Sequence, residues 1–489
     1  MPAREFIVAI ELGSSKMTGI AGKKNLDGSI TVLALVKEDS SSFIHKGVVY
    51  NIDKTAQCIT NIVKKLTTML KQEISHVYVG VGGQSIRSVK NNIIKTLPAE
   101  SIVTQTMVNE LMDGNRNMSY QDQEILDAAT QEYKVDNQLQ IDPVGIQCSR
   151  LEGNFLNILW RYEFYRRLNK CFDMAGVAIA EMYLAPLALA DAVLSDAEKR
   201  SGCVLVDLGA DTTTVSVYYK NILRHLAVIP LGSNNITKDI ASLQVEESVA
   251  EKLKLQHAVA YTENGDIDNQ KTYALDADRK VDQRKFVEIV EGRLEEIIEN
   301  VWYQVPSDYA ERLLGGIILT GGGSNMPGIE TAFANHTHIE KIRVAKFVNQ
   351  TINAKEPLIT AHNGMMNTVL GILAKGNMNC AGNEVDPTKD LFTQPKTATA
   401  TTTDELHKTP RQPNELEGGV VQTEAEKRKA EELRRQQEEE ERIRLEEEER
   451  QREEEERKKE DNGIKKFGSR LKSIVKKFIS EDDDESNES

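Results

Sequence analysis

Two short segments of the chain place an acid at the end of an apolar run and follow it with leucine, glycine and small or hydroxyl residues. The first is Ile10-Glu11-Leu12-Gly13-Ser14-Ser15-Lys16-Met17-Thr18. The second is Val206-Asp207-Leu208-Gly209-Ala210-Asp211-Thr212-Thr213-Thr214. Matching positions are 196 residues apart throughout. This combination suits a phosphate. Glycine in a tight turn lets backbone N–H groups approach phosphate oxygens closely. The hydroxyls of Ser14, Ser15, Thr212 and Thr213 add donors, and Lys16 can neutralise phosphate as a point charge. Glu11 and Asp207 are hard oxygen groups suited to magnesium held through water, with no direct protein ligand, and are the candidate catalytic carboxylates. One such hairpin alone is an ordinary Gly-Ser turn; two in register, with acids at matching places, point to a nucleotide. A third segment, Gly315 to Gly328, reads as a strand, a glycine turn and a helix with Pro327 in its first turn. The bare backbone of Gly321, Gly322 and Gly323, followed by Ser324 and Met326, leaves room for a flat ring. No GxxxxGK[ST] occurs, so the phosphate device is not a Walker loop.

These residues need a scaffold. Short apolar runs at Phe6–Ile10, Thr31–Val36, Val77–Val81, Cys203–Val206 and Ile317–Leu319 predict strands. They alternate with helical patterns such as Thr55–Leu70 and Phe286–Val301, which is an α/β arrangement. Each acid-glycine segment is followed by two further strand-like runs, Gly19–Ala21 and Thr31–Val36 in one case, Val215–Tyr219 and Leu226–Ile229 in the other. A repeat this long predicts two similar half-molecules and not a solenoid.

Composition sets outer limits. The 489 residues carry a net charge of −15, a poor match for general nucleic-acid binding, which needs a basic face. Five scattered cysteines without a CxxC pair argue for a reducing compartment and against a structural zinc site. The first residues lack the apolar core of a signal peptide, and no run reaches the roughly 18 apolar residues that span a bilayer. The expectation is a cytosolic protein whose membrane contact is peripheral.

The C-terminal part changes character. Asn377 to Gly419 is rich in Thr, Pro, Asn and Gly and predicts a disordered linker. Glu424 to Asp461 holds 30 charged residues in 38, with glutamates four residues ahead of bases, and predicts a solvated single helix about 57 Å long. Beyond it, Ile464, Phe467, Leu471, Ile474, Val475, Phe478 and Ile479 fall on one helical face. Lys465, Lys466, Arg470, Lys472, Lys476 and Lys477 accompany them without an acid. A basic amphipathic helix of this kind predicts binding to anionic membrane lipid.

Two acid-glycine hairpins in two halves, then strand, triple glycine and helix, resemble the superfamily of actin, heat-shock chaperones and sugar kinases. Within it the sequence is similar to the bacterial FtsA cell-division family over about residues 5 to 375, plus the terminal helix. The resemblance implies an actin-like fold of two RNase H-like halves that binds ATP with magnesium and has at most weak ATPase activity. It implies subdomain 1A at 1–83 and 166–201, an inserted 1C-type subdomain at 84–165, subdomain 2A at 202–233 and 311–375, and subdomain 2B at 234–310. The linker at 376–423, the charged helix at 424–461, the amphipathic helix at 462–479 and an acidic tail at 480–489 follow. Gly176 to Val193 and Pro357 to Lys375 resemble the two connecting helices, with Gly364 and Gly371 permitting close packing. Glu251 and Lys254, on a helix predicted at Val245–Gln256, resemble the pair that contacts ribose and base. Glu181 is a candidate for positioning water. The implied partners are the C-terminal tail of the tubulin-like FtsZ, further copies of the chain in a filament, anionic lipid and other division proteins, at the division site on the inner membrane face. A PilM-like adaptor of a membrane machine shares the fold and insert but should lack the basic terminal helix. A kinase needs a catalytic acid motif, and a chaperone a β-rich domain, that this chain does not display. His336 and His338 are read as loop surface and not as a metal pair.

Overall fold

The computed structural model describes residues 5–384. The expected linker, charged helix and terminal helix lie outside the described residues.

The first half is a sheet whose strand order is Ala178–Leu184, His76–Val81, Ile7–Leu12, Lys16–Lys24, Ile30–Asp39 and Ile352–Asn353. Ile7–Leu12 runs antiparallel to Lys16–Lys24 and parallel to His76–Val81. Its first four side chains are all buried, as expected for a central strand covered on both faces. One cover is the helix Ile52–Leu70. Asn51 caps its start by accepting from the Lys54 N–H, and it buries Ile59, Ile62, Leu66 and Leu70. A Cβ on Gly19 would stand 2.3 Å from Ile62 Cγ2, so the helix depends on the glycine to approach.

The second half repeats the plan. Its strands run Ile222–Ile229, Thr213–Tyr219, Cys203–Leu208, Gly316–Thr320 and Ile342–Val344, with the same antiparallel and parallel relations. The repeat extends to register. Ile7 pairs with Gly22, Glu11 with Thr18 and Leu12 with Met17; Cys203 pairs with Tyr218, Asp207 with Thr214 and Leu208 with Thr213. Every one of these positions obeys the 196-residue offset.

Two central helices join the halves. Asn367–Lys375 packs on Ile7–Leu12, Lys16–Lys24 and His76–Val81, while Ala185–Val193 packs on Thr213–Tyr219. They touch where a Cβ on Gly371 would lie 2.6 Å from the Ala188 carbonyl oxygen, the close packing expected of that glycine. Both connections are less helical than expected. Ala178–Leu184 is a strand paired with His76–Val81, because a free sheet edge competes successfully with the helix propensity of its Ala, Glu, Met and Leu. The second connection divides into Pro357–Thr360 and Asn367–Lys375, and Gly364 turns the chain between them at φ 76°.

The insert contains the strands Arg87–Ile102, Gln123–Val135, Gln138–Gln140 and Gln147–Arg161 with the helix Gln105–Arg116, around a core of its own that includes Leu111, Met112, Tyr133, Leu151 and Phe155. It meets the outer strand of the second half, where Arg87 pairs with Ala227. Arg224 is fully buried there. It donates to both carboxylate oxygens of Glu132, at 3.0 and 2.9 Å, and to Gln131 at 3.2 Å. The Leu226 N–H donates to Ser88 Oγ at 2.8 Å. The following helix, Tyr162–Ala175, returns Leu168, Cys171 and Phe172 to the first half's core.

Candidate nucleotide-binding site

Residues 13–15 join the strands of the first hairpin and residues 209–212 those of the second, and each loop opens on a glycine that its close approach requires. A Cβ on Gly13 would stand 2.5 Å from the Lys16 carbonyl oxygen, and one on Gly209 2.7 Å from that of Thr212. In the second loop the Gly209 N–H donates to this same oxygen at 2.9 Å. The loops are held from outside by different segments. Around the first, Ser40 Oγ donates to the Gly13 carbonyl at 2.6 Å and the Gly47 N–H donates to Ser14 Oγ at 2.8 Å. Around the second, the Ser233 and Asn234 N–H groups donate to the Gly209 and Ala210 carbonyls at 3.0 and 2.8 Å. These two amides open the helix Ser233–Ala241.

The acids converge. Glu11 and Asp207 close their strands at matching places, both half-buried. Burial, then the nearby charge of Asp207, pushes the Glu11 carboxyl up to about 8, with Lys37 acting in the opposite direction. Burial pushes Asp207 up to about 6. Two carboxylates that resist ionising together in a closed place are a donor set for a hard cation. Among the described residues no cluster of three or more His, Cys, Asp or Glu forms a metal cage. Magnesium here would take these two carboxylates through water and complete its shell with phosphate oxygens.

The glycine turn joins the second hairpin. Thr320 pairs with Asp207 across parallel strands. Gly321 follows at φ 84°, where a Cβ would lie 2.4 Å from Asp207 Oδ1 and 2.7 Å from the Leu208 carbonyl oxygen. Gly322–Asn325 forms a single 3-10 turn in which Ser324 Oγ donates to the Gly321 carbonyl at 2.7 Å. Pro327 is not in the first turn of the helix as expected. Gly328, at φ 77°, breaks the chain after it, and the helix begins at Ile329.

The remaining expected residues divide into free and occupied ones. Lys16 is exposed, and Ser15, Ala210 and Thr212 are half-buried at the loop tips. Thr213 is buried, and its hydroxyl donates to the Leu231 carbonyl at 2.9 Å. Met326 packs against the second half's core. Asp211 carries a carboxylate that would repel phosphate. It instead accepts from Asn234 Nδ2 at 2.8 Å and, across to the other half, from the Lys46 N–H at 3.3 Å. Glu251 and Lys254 lie on Glu247–His257 and form an internal network. Lys254 is buried, with Nζ 2.7 Å from Glu251 and donating to the Ser233 carbonyl at 3.1 Å. Glu181 lies two strands from Glu11, in the row of Tyr78 and Ala9, and its carboxylate accepts from the Tyr183 hydroxyl at 2.8 Å. His336 stands 3.8 Å from Glu295. The membrane-binding residues expected at 464–478 lie outside the described residues.

A family model for cell division protein FtsA matches residues 204–371, and one for the SHS2 domain inserted in FtsA matches residues 83–159. The cell division protein FtsA of Porphyromonas gingivalis is 32% identical over 324 residues, covering 65% of this chain and 68% of that protein. The chain belongs to the FtsA family of cell-division proteins. FtsA of Neisseria meningitidis serogroup B is 31% identical over 335 residues, covering 67% of this chain and 80% of that one. Among solved structures, the PilM-PilN type IV pilus biogenesis complex superposes with a TM-score of 0.53 at 14% identity, over 76% of this chain and 98% of that one. The chain has an actin-like fold, and the match to the SHS2 model falls on the expected insert. Among the described residues no helix is long and apolar enough to cross a membrane.

One residue beside the candidate site escapes sequence reasoning. Lys37 lies across from Thr18, which lies across from Glu11, so the three form one row on three neighbouring strands. Only strand register reveals it, since Lys37 sits inside a run that reads as a plain strand.

Proposed function

We propose that this FtsA-family chain binds ATP with magnesium between its two halves, self-assembles, and tethers FtsZ polymers to the inner face of the cell membrane while recruiting other division proteins. The observation that carries the nucleotide reading is the pair of register-identical hairpins whose acids, Glu11 and Asp207, share one place beside the Gly321 turn. The residues fit the ligand. Gly13, Ser14, Ser15 and Lys16 from one half, with Gly209, Ala210 and Thr212 from the other, form the phosphate cradle, and Thr213 holds the second loop from beneath through the Leu231 carbonyl. Asp211 braces the cradle, and Gly321, Gly322, Gly323, Ser324 and Met326 form the floor for adenosine. Glu251 and Lys254 border the nucleoside end through the helix Ser233–Ala241.

Membrane attachment rests on the sequence of 464–479, six bases beside seven apolar residues in an otherwise acidic chain. Each base near anionic lipid contributes about 1 kcal/mol before screening. The proposed subdomain roles follow the family, with 84–165 facing division partners and further copies, and 234–310 facing the FtsZ tail.

Co-sedimentation with anionic vesicles, with and without ATP, tests the proposal on the full-length chain and on a Phe467→Glu, Ile474→Glu double variant. The expected result is that only the unaltered chain pellets and that ATP changes the fraction or its assembly. Equal pelleting of both would remove the terminal segment as the anchor and contradict the tethering proposal.

A further inference from the structure

The first half carries a cation that the second half lacks. Glu11, Thr18 and Lys37 occupy paired positions on adjacent strands, so their side chains leave the same sheet face. The row is two strand spacings wide, about 10 Å from the first backbone to the last, within the combined reach of a glutamate and a lysine. The matching row of the second half is Asp207, Thr214 and Val228. Acid and threonine are repeated; the lysine is replaced by a buried valine.

Lys37 is half-buried, and its ammonium closes no ion pair with a described residue. Its neighbour Glu38, on the opposite face, pairs with Lys65. Burial lowers the Lys37 ammonium, the charge of Lys16 lowers it further, and Glu11 opposes both. Lys37 and Lys16 repel one another, and neither closes an ion pair with a described residue, so positive charge beside the first loop is unmatched. An anion between them relieves that repulsion. No such need exists in the second half, whose loop is held by helix amides and has apolar Val228 at the same row.

We propose that Lys37 is a phosphate-binding residue, a second cation beside Lys16 that makes the first half the principal holder of polyphosphate charge. The inference rests on the ATP-binding reading above and names a residue that reading did not contain.

The test titrates ATP with magnesium, and separately adenosine, into the full-length chain, Lys37→Met and Lys37→Arg at two salt concentrations. Lys37→Met keeps the stem's packing and removes only the charge. The expected result is that it weakens ATP about tenfold and leaves adenosine unchanged. Its ATP affinity also becomes less dependent on salt, and Lys37→Arg recovers most of the loss. Equal ATP affinity in Lys37→Met and the unaltered chain would overturn the inference while leaving the nucleotide reading intact. So would parallel loss of ATP and adenosine, the signature of a structural role. An unaltered chain that binds neither ligand would overturn the nucleotide reading and this inference with it.

Discussion

In the first half the phosphate loop is gripped by an irregular segment, through Ser40 and Gly47. In the second it is gripped by the opening amides of a helix, through Ser233 and Asn234. The strands beneath them are paired residue for residue alike. The differences lie in charge and in outer edges. The first half places Lys37 in the row of its acid, with Lys16 near Lys37; the second places Val228 in the matching row and Asp211 at its loop tip. The first half's outer strand is extended only by the two residues Ile352–Asn353, whereas the second's is covered by the insert. A duplicated backbone is thus compatible with unequal electrostatic work, because side chains off the shared turn can diverge without disturbing its glycine.

The comparison can be broken first in the second half, where the glycine turn meets the end of the hairpin's acid strand. Gly321→Val would force a side chain into Asp207 and the Leu208 carbonyl at a positive φ, so the second hairpin should lose its shape. ATP affinity is expected to fall about 100-fold, a result that equilibrium binding measures directly; a loss under threefold would mean the turn is not part of the site. The outer edges are tested by Arg224→Ala. It removes a buried guanidinium and leaves the half-buried Glu132 and the buried Gln131 without their partner, a change that costs about 3 kcal/mol. Urea unfolding of the full-length chain, read by a probe in the insert, should show that loss, and a change below 1 kcal/mol would contradict the account.

The acids predict a pH dependence of unusual sign. Glu11 has its folded carboxyl raised to about 8 from 4.5, first by burial and then by Asp207. The folded state therefore holds a proton that the unfolded state has released, and nucleotide-free stability should fall as pH rises from about 5 to 8. Glu11→Gln should flatten that fall by roughly 1–2 kcal/mol after allowance for solvent screening. Thermal melts across this range check it, and an unchanged slope would show that the folded chain does not hold Glu11 protonated. The smallest effect is expected from Ser14→Ala, which removes the acceptor of the Gly47 N–H and costs about 1 kcal/mol. Thr213→Val, losing its bond to the Leu231 carbonyl, should match it if both loops are held equally well.

Much of the fold was legible because the repeated acid-Leu-Gly segments fix both the turns and, through the constant offset, the identity of the two sheets. The buried runs around Ile7–Leu12 and Cys203–Leu208 announce central strands for the same reason. What was not legible depends on partners distant in sequence. Ala178–Leu184 is rich in helix formers, and only the open edge of His76–Val81 makes it a strand. Lys37 acquires its meaning from two successive strand registers. Glu251 and Lys254 resemble a pair that contacts a nucleoside, yet Lys254 is drawn inward by the Ser233 carbonyl and Thr237 hydroxyl. Pro327 suits a first helical turn by type, but the following Gly328 takes a left-handed conformation and moves the start of the helix.

The central claim, that both hairpins hold one nucleotide together, is tested most directly by calorimetric titration of ATP with magnesium into the full-length chain and into Gly13→Val and Gly209→Val separately. The account predicts one ATP per chain and a large loss of affinity in each variant. Binding at another stoichiometry, or an affinity that survives the loss of either glycine, would contradict it.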